Sequence, residues 1–281
     1  MEPFIGSLGD HEWEFVFPSD IDNEKVYNKF YGAVELLDYD DITAERIFKE
    51  IILKYPFHID AYNHLSIAFR NQKKRFESFL TAEKAYLLGK NLFPMEFKVG
   101  LDRLRWSFLN NRPFLRACAT FGLECQDKKD YNRALGIYQE ILQFNKDDHQ
   151  GIRYLVLECL FAQKKFHQAE EFLKSHSKER SLEFSYGRVI IEVLNHKKSK
   201  AIEILKEAIK CNPFVLEEIQ KVKHFAPPPF RLPGEPFLDA GNPLGTVQEA
   251  FEYWKRNKSV LNSKEVQEFF LSIIPMQVNN Q

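Results

Sequence analysis

The sequence predicts an all-α protein built from stacked helical hairpins. The first observation is that small residues recur at a near-constant interval: 34 residues from Ala44 to Ser78, 35 from Ala134 to Ala169, and 32 from Ala169 to Ala201. The second is that a bulky apolar residue follows each of these alanines four positions later. Residues four apart share one face of a helix, so each pair marks a helix that packs closely on a neighbour.

Self-similarity at this period is typical of the tetratricopeptide repeat (TPR), in which two antiparallel helices form each repeat and the repeats stack into a solenoid. We therefore predict a TPR-like solenoid of about five repeats. The predicted segments are an irregular N-terminal arm at 1–24, the solenoid at 25–214 with an extra helix at 95–113, and a proline-rich stretch with a C-terminal helical cap at 215–281.

The elements follow from local signals. The five repeats are expected at about 25–58, 59–92, 115–148, 150–181 and 182–214. Tyr31-Gly32 and Phe121-Gly122 are expected to be the large and small residues that meet in the first helices of repeats one and three. The extra helix is predicted because its apolar residues step by four, three and four; these residues are Phe97, Leu101, Leu104 and Phe108.

Both ends depart from the repeat. Prolines and glycines exclude a helix from the N-terminal arm, which either caps the solenoid or occupies its groove. Prolines and glycines also exclude a regular helix from 226 to 245. Thr246 followed by Glu249 predicts a capping box at the start of a helix over 247–257, and a last helix is expected over 263–273.

Composition narrows the function classes. Lys+Arg total 39 against 40 Asp+Glu, so the chain lacks the cation surplus of a duplex nucleic-acid binder. The sequence shows no apolar run long enough for a membrane span and no secretory signal, and we expect a cytoplasmic protein. The four cysteines form no C-x2-C pair. We expect reduced core thiols, no metal and no cofactor.

Three stretches resemble a known family. These are WSFLNNRPFLRA from Trp106 to Ala117, NKDDHQGIRYLVL from Asn145 to Leu157, and FSYGRVIIE from Phe184 to Glu192. They are similar to motifs of a bacterial TPR-protein family that is distantly related to the suppressor-of-tumorigenicity-seven proteins. The resemblance covers about 95–275 and implies a binding scaffold without a transferable reaction. Lys146 and His149 replace the family's usual proline and asparagine, and the cysteine-rich metal motif of some relatives has no counterpart after Cys211.

The concave face is the predicted partner-binding surface. On the TPR template, fixed positions of each first helix face the groove, and the residues chosen from them are Asn63, Arg70, Arg116, Leu123, Tyr154, Glu158 and Tyr186. Arg112, Arg116 and Arg153 are either ligand-binding or partners of neighbouring carbonyl and acidic groups. Lys29 occupies a position of the TPR clamp for C-terminal carboxylates. Ala33 stands where that clamp needs asparagine, which argues against it.

No catalytic motif is recognisable. The sequence contains no G-x-x-x-x-G-K, G-x-S-x-G or H-E-x-x-H pattern, and the acidic pairs Asp40-Asp41 and Asp147-Asp148 are expected to cap helices. We therefore predict a non-catalytic scaffold or adaptor that binds a peptide or partner protein in the concave groove. The alternatives are an RNA-binding helical repeat and a non-catalytic subunit of an enzyme complex.

Overall fold

A computed structural model describes residues 2–21, 23–230 and 242–273 of the 281-residue chain. Over these residues the structure is mainly helical, with thirteen α-helices and one two-stranded sheet. The chain divides into two compact units, Met1–Val156 (unit 1) and Leu157–Gln281 (unit 2). The prediction of a predominantly helical protein is therefore confirmed.

Unit 1 begins with a β-hairpin and continues as antiparallel helix pairs. Its elements are β1 (Phe4–Gly9), β2 (Glu12–Val16), α1 (Glu24–Val34), α2 (Asp41–Lys54), α3 (Ile59–Asn71), α4 (Arg75–Lys90), α5 (Arg112–Asp127) and α6 (Tyr131–Phe144). Each helix packs on the next, and α3 also contacts α5 directly. This additional contact brings the first helices of consecutive repeats together on one side, as in a TPR stack.

Unit 2 contains the later repeats and three further helices. The boundary between the units falls within α7 (Ile152–Ala162), and the elements that follow are α8 (Phe166–Ser175), α9 (Leu182–Leu194), α10 (Lys198–Cys211), α11 (Phe214–Gln220), α12 (Val247–Leu261) and α13 (Lys264–Leu271). Helix α9 is central to this unit because α8, α10, α12 and α13 all contact it.

The repeated small residues lie at tight helix contacts. Ala44, Ala134, Ala169 and Ala201 are fully buried. Ser78, which takes the same position in repeat two, is also buried. Its hydroxyl lies 2.9 Å from the carbonyl oxygen of Ser66 and 2.6 Å from Oε1 of Glu124. A polar residue is tolerated in this alanine position because its hydroxyl has buried partners.

Only one of the two predicted large-small pairs forms a close contact. A Cβ atom at Gly122 would overlap the Tyr138 ring, so repeat three needs glycine where α5 meets α6. A Cβ at Gly32 would meet nothing within 4 Å. Tyr31 is substantially exposed instead of packed at a helix contact. The pairing predicted for Tyr31 and Gly32 is wrong, because Ala33, one position later, is the buried small residue of α1.

Helix starts agree with the sequence. Asp40 Oδ1 accepts a hydrogen bond from the Thr43 amide at 3.2 Å, and Asp148 Oδ1 accepts one from the Ile152 amide at 2.7 Å. Thr246 Oγ1 accepts a hydrogen bond from the Glu249 amide at 3.2 Å, while the Glu249 carboxylate accepts one from the Gly245 amide. The carboxylates and the Thr246 hydroxyl satisfy backbone donors that a helix leaves unpaired at its first turn.

The sequence predicted an irregular N-terminal arm. The arm forms a β-hairpin instead. Strands β1 and β2 pair antiparallel, with Ile5 opposite Phe15, and the turn uses positive φ angles at Gly9, Asp10 and His11. Phe15 is fully buried, and its ring centre lies 5.2 Å from that of Phe114 on α5. The hairpin thus supplies core contacts to the repeats, which favours the capping interpretation of the arm.

No helix covers 95–108, so the predicted extra helix is wrong apart from a short 3-10 turn at Leu109–Asn111. The segment pairs with the hairpin instead. The Trp13 amide donates to the Arg103 carbonyl at 3.0 Å, and the Phe15 amide donates to Asn111 Oδ1 at 3.0 Å. Phe97 and Leu104 are buried here without helical periodicity, because the hairpin provides their cover.

The C-terminal prediction holds in part. Residues 223–230 contain no helix, as expected, while 231–241 and 274–281 lie outside the described residues. Helix α12 starts at the predicted capping box and runs four residues past the predicted end, to Leu261. The last predicted helix is observed as α13.

Candidate functional site

A cleft of about 450 Å³ opens at one end of unit 1. We call it the unit-1 cleft. Its lining comes from the segment after β2, from α1, from the start of α3 and from the residues that lead into α5. The lining residues are Phe17, Ile21, Val26, Tyr27, Phe30, Tyr31, His58, Ile59, Asp60, Leu109, Asn110, Arg112, Pro113 and Arg116. A cleft of this size has room for a few side chains of a ligand.

An ion pair forms one wall of the cleft. The Arg116 Nε atom lies 3.1 Å from Asp60 Oδ1, and its Nη2 atom bonds the other carboxylate oxygen. Asp60 is buried, and His64 Nδ1 lies 3.4 Å from the same carboxylate. Burial alone raises the pKa of Asp60, but His64 and Arg116 outweigh it and hold this pKa well below its usual range. The Asp60 charge is therefore compensated within the protein.

A second arginine of the cleft lining, Arg112, uses fewer of its hydrogen-bond donors within the described residues. Arg112 Nε donates to the Trp106 carbonyl at 3.0 Å, and the guanidinium carbon lies 5.2 Å from the centre of the Trp106 ring. Among residues 2–21, 23–230 and 242–273, the two Nη groups of Arg112 have no hydrogen-bond or ion-pair partner. A hydrogen bond and a cation–π contact to the same residue thus hold the guanidinium, while most of its donors remain available.

Aromatic rings on α1 form another part of the cleft lining. Tyr27 and Tyr31 lie one helical turn apart on α1, with ring centres 4.3 Å apart and 58% and 42% of their surfaces exposed. Partial burial and the nearby Asp60 carboxylate raise the pKa of Tyr31 above its ordinary value, so its hydroxyl is neutral at pH 7. Phe30 lies beneath them and is buried against His58.

Arg116 is the predicted binding residue that lines this cleft. Arg70 lies at the other end of the contact between α3 and α5, where its Nε atom is 2.9 Å from Glu124 Oε1 and its Nη2 atom is 2.6 Å from Asp127 Oδ2. Two ion pairs, one at each end, therefore join α3 and α5. Arg70 and Arg116 are both partners of acidic groups on the neighbouring helix.

The other positions predicted on α3 and α5 are less accessible. Asn63 is 1% exposed on α3, and Leu123 is half-buried on α5. Neither side chain belongs to the lining of the unit-1 cleft.

The predicted residues on α7 have partners within their own units. In unit 1, Arg153 Nη1 bonds the Asp148 carboxylate at 2.8 Å, and its guanidinium carbon lies 4.3 Å from the centre of the Tyr154 ring. In unit 2, the buried Glu158 lies 3.5 Å from Arg256 of α12. Arg153 thus has a structural role.

Tyr186 is not a groove residue, contrary to the prediction. It is fully buried in unit 2, with its ring centre 5.6 Å from that of Tyr253 and 6.3 Å from that of Phe270. Helices α12 and α13 cover the face of α9 that a TPR template leaves open for a ligand. The apolar faces of these two C-terminal helices were the signal that could have corrected the prediction, since each needs a surface to pack on.

Sequence reasoning missed Tyr27 and Tyr31 as candidate binding residues. Their spacing places both rings on one face of α1, and α1 is the first helix of the stack.

The two positions compared with the TPR carboxylate clamp are occupied by Lys29 and Ala33. Lys29 Nζ bonds Glu50 at 2.7 Å, and Ala33 is fully buried. Ala33 offers no polar group, so the clamp for a C-terminal carboxylate is incomplete.

Three features of the described residues bear on a membrane span, a metal site and a disulfide. None of the helices within the described ranges is long and apolar enough to cross a membrane, and no group of three or more His, Cys, Asp or Glu side chains there is placed to hold a metal ion. Cys118, Cys125 and Cys159 are buried, whereas Cys211 is half-buried and all four are free thiols.

The fold is similar to those of several solved TPR proteins. A TPR protein from Parabacteroides merdae ATCC 43184 aligns with a TM-score of 0.51 at 16% identity over 67% of each chain. The MamA RS-1 ArsTM double mutant aligns at 0.52 and 13%, over 67% of this chain and 94% of that one. A putative kinesin light chain from Podospora anserina with nearly identical TPR-like repeats gives 0.51 and 10%, over 66% and 94%. These likenesses confirm the TPR-like fold.

Family membership comes from the sequence. No curated protein matches the chain significantly. The model of the family described as transcriptional repressor TCF25 matches residues 13–281, from β2 through the C-terminal helices. The resemblance to a bacterial TPR family stays a prediction. Because the match spans nearly the whole sequence, this chain belongs to the transcriptional repressor TCF25 family.

Proposed function

We propose that this protein is a non-catalytic scaffold that binds a peptide segment of a partner protein in the unit-1 cleft. The observation that carries the proposal is the pair of exposed tyrosines, Tyr27 and Tyr31, which line the same cleft as the two arginines. Large aromatic side chains left open to solvent in a concave site are the residue type that dominates protein interfaces. The guanidinium N–H donors and tyrosine rings of the cleft suit ligand binding more than catalysis.

The TPR-like fold supports this proposal in physical terms. Two ion pairs hold the α3–α5 contact, so this part of the cleft lining is fixed before a ligand binds. The lining residues come from α1, α3 and α5, the first helices of successive repeats, with the segments that precede α1 and α5. Ligands of helical repeats commonly engage the face that such helices form.

The family suggests that the interaction serves transcription. The formal charge of the chain is −1, which gives it no general attraction for duplex DNA. We therefore propose that it influences transcription through a protein contact and not by binding DNA directly. A role of this kind would place the protein where transcription occurs, in contrast to the cytoplasmic location expected from the lack of a secretory signal and of a membrane-spanning run. The resemblance to a bacterial family of TPR scaffolds is compatible with the same mode of action.

Site-specific photo-crosslinking tests the location of the binding site. Tyr27 is replaced by p-benzoylphenylalanine, and the same replacement at Tyr39, which is exposed but does not line the cleft, serves as the matched control. On irradiation in the source cells we expect a covalent protein adduct from position 27 that is absent from position 39 and that mass spectrometry identifies. Adducts of equal yield at both positions, or none at position 27, would contradict the proposal.

A further inference from the structure

We infer that the unit-1 cleft recognises a peptide segment in which an acidic side chain lies beside an aromatic or large aliphatic one, and that Arg112 binds the carboxylate. The inference rests on the proposed function and specifies the chemistry of its ligand. Three features of the cleft support it: available donors, uncompensated charge, and exposed apolar surface next to that charge.

The donors belong to Arg112. A guanidinium carries five N–H donors in a fixed plane, and within the described part of the chain Arg112 uses only its Nε donor, on the Trp106 carbonyl. This hydrogen bond and the cation–π contact with the Trp106 ring restrict the orientation of that plane. A carboxylate can accept two parallel hydrogen bonds from such a fork, and a fork that is already oriented loses little entropy on binding.

The charge of the cleft favours an anion. Its described lining contains two guanidiniums, Arg112 and Arg116, and one carboxylate, Asp60. Arg116 and Asp60 neutralise each other, which leaves one positive charge, that of Arg112. One uncompensated cation matches one carboxylate. A nucleic-acid backbone would instead require a track of several cations.

Apolar surface adjoins this cation. Leu109 lies one helical turn before Arg112, is 65% exposed and lines the cleft, as do the rings of Tyr27 and Tyr31. A ligand that places a carboxylate on Arg112 therefore brings its neighbouring side chain against exposed hydrocarbon and aromatic surface. Burial of that surface supplies the non-directional part of the affinity, and the fork supplies the specificity.

The carboxylate comes from a side chain within a peptide and not from a chain terminus. A terminal carboxylate clamp in a TPR groove uses positions that are occupied here by Lys29 and Ala33. Lys29 is bonded to Glu50, and Ala33 is fully buried in the core. Arg112 lies instead among cleft-lining residues that include Leu109 and Pro113, away from those two positions.

Peptide display on the full-length chain tests the inference. A random library of peptides of about 12 residues is selected on the purified protein. The best binder is synthesised in two forms, one with Asp or Glu at the acidic position (the acid form) and one with the matching Asn or Gln there (the amide form). Fluorescence anisotropy then gives the affinity of both forms for wild type, Arg112→Gln, Arg112→Lys and the control Arg46→Gln. Arg46 is an exposed arginine of α2 that pairs with Glu50 outside the cleft.

We expect the acid form to bind wild type and Arg46→Gln at least about tenfold more tightly than the amide form, as a charge-assisted fork requires. Arg112→Gln should bind both forms equally, and Arg112→Lys, which keeps the charge without the fork, should retain part of the preference. Equal binding of acid and amide forms to wild type would overturn the inference, as would an acid preference that survives in Arg112→Gln.

The proposed function has a separate readout in the same experiment. If selected peptides lose binding in Tyr27→Ala with Tyr31→Ala but show no acid preference, the cleft is the binding site and only the inference about its ligand fails. If no peptide is selected, or if binding ignores both tyrosines, the inference and the proposed function both fail. Competition by a single-stranded oligoribonucleotide that is lost in Arg112→Gln would also overturn the inference, in favour of a nucleic-acid ligand.

Discussion

The Arg116 guanidinium binds the Asp60 carboxylate through two hydrogen bonds and so joins the N-terminal part of α5 to the first turn of α3. Asp60 is almost fully buried, whereas Arg116 remains partly open to the unit-1 cleft. The pair therefore has two consequences. It stabilises the contact between two repeats, and it removes the one acidic charge from the described cleft lining, so that the cleft favours an anionic ligand.

Removal of Arg116 should destabilise unit 1. Arg116→Ala leaves the buried Asp60 carboxylate with only His64 beside it, and we expect a loss of about 3 kcal/mol in the free energy of unfolding at pH 7. Urea denaturation monitored by circular dichroism measures it. With Asp60→Asn already in place, the same change should cost less than half as much. An equal cost in both backgrounds would contradict the electrostatic explanation.

The cost of Arg116→Ala should also depend on pH. The folded-state pKa of Asp60 lies below its unfolded value, so the stabilisation is fully present above the unfolded pKa of about 3.9 and is lost as the pH falls towards the folded pKa. The difference between wild type and Arg116→Ala should therefore narrow below about pH 4. A difference that stays constant from pH 7 to pH 3 would show that Asp60 is not responsible.

Two substitutions on α6 test the packing register. Ala134 is fully buried where α6 meets α5, so Ala134→Leu should overpack the contact and cost about 1–3 kcal/mol. Gly136, two residues further, faces open space, and Gly136→Ala should stabilise the helix by about 1 kcal/mol. Melting temperatures that shift in opposite directions support the register. A wild-type melting temperature for Ala134→Leu would show that the register is wrong.

The repeats were predictable because their signals are local. Spacing alone identified Ala44, Ala134 and Ala169 as buried contact residues, and the side chain of Thr246 identified a helix start. The hairpin was not predictable in the same way, because its partner residues lie far along the chain: Trp13 pairs with Arg103, about 90 residues away. The same reason explains the missing extra helix, since the apolar residues of that segment pack on the hairpin.

The candidate site was predicted less well than the fold. A TPR template assigns groove positions only where no other element packs on them. Tyr186 satisfies the template, but α12 and α13 occupy the surface that it would present. Arg116 does line the unit-1 cleft. Tyr27 and Tyr31 were missed, because Tyr31 was interpreted as a packed partner of Gly32.

Tyr186 should therefore behave as a core residue. Tyr186→Ala removes a fully buried ring that packs on Tyr253 and Phe270, and we expect a loss of about 3–5 kcal/mol in stability. Tyr27→Ala, which removes an exposed ring, serves as the matched comparison and should change stability by less than about 0.5 kcal/mol. Chemical denaturation of both variants measures the contrast, and similar losses would refute the distinction between core and cleft.

Thiol reactivity checks the burial of the cysteines. Burial raises the pKa of Cys125 to about 11 and that of Cys159 to about 12, and it also raises the pKa of Cys118. At pH 8 the native protein should therefore react with a disulfide reagent rapidly at Cys211 alone, because the attacking species is the thiolate. All four thiols should react in denaturant. Rapid reaction of two or more thiols in the native protein would be inconsistent with this structure.

The central claim is that Tyr27 and Tyr31 form the binding wall of the unit-1 cleft, and one titration tests it most directly. The partner identified by crosslinking at position 27 is titrated calorimetrically into wild type and into Tyr27→Ala with Tyr31→Ala. If each of the two interface aromatics contributes about 1.4 kcal/mol, we predict a loss of affinity of about a hundredfold, with an unchanged unfolding transition. An affinity within about twofold of wild type, in a variant that unfolds normally, would contradict the claim.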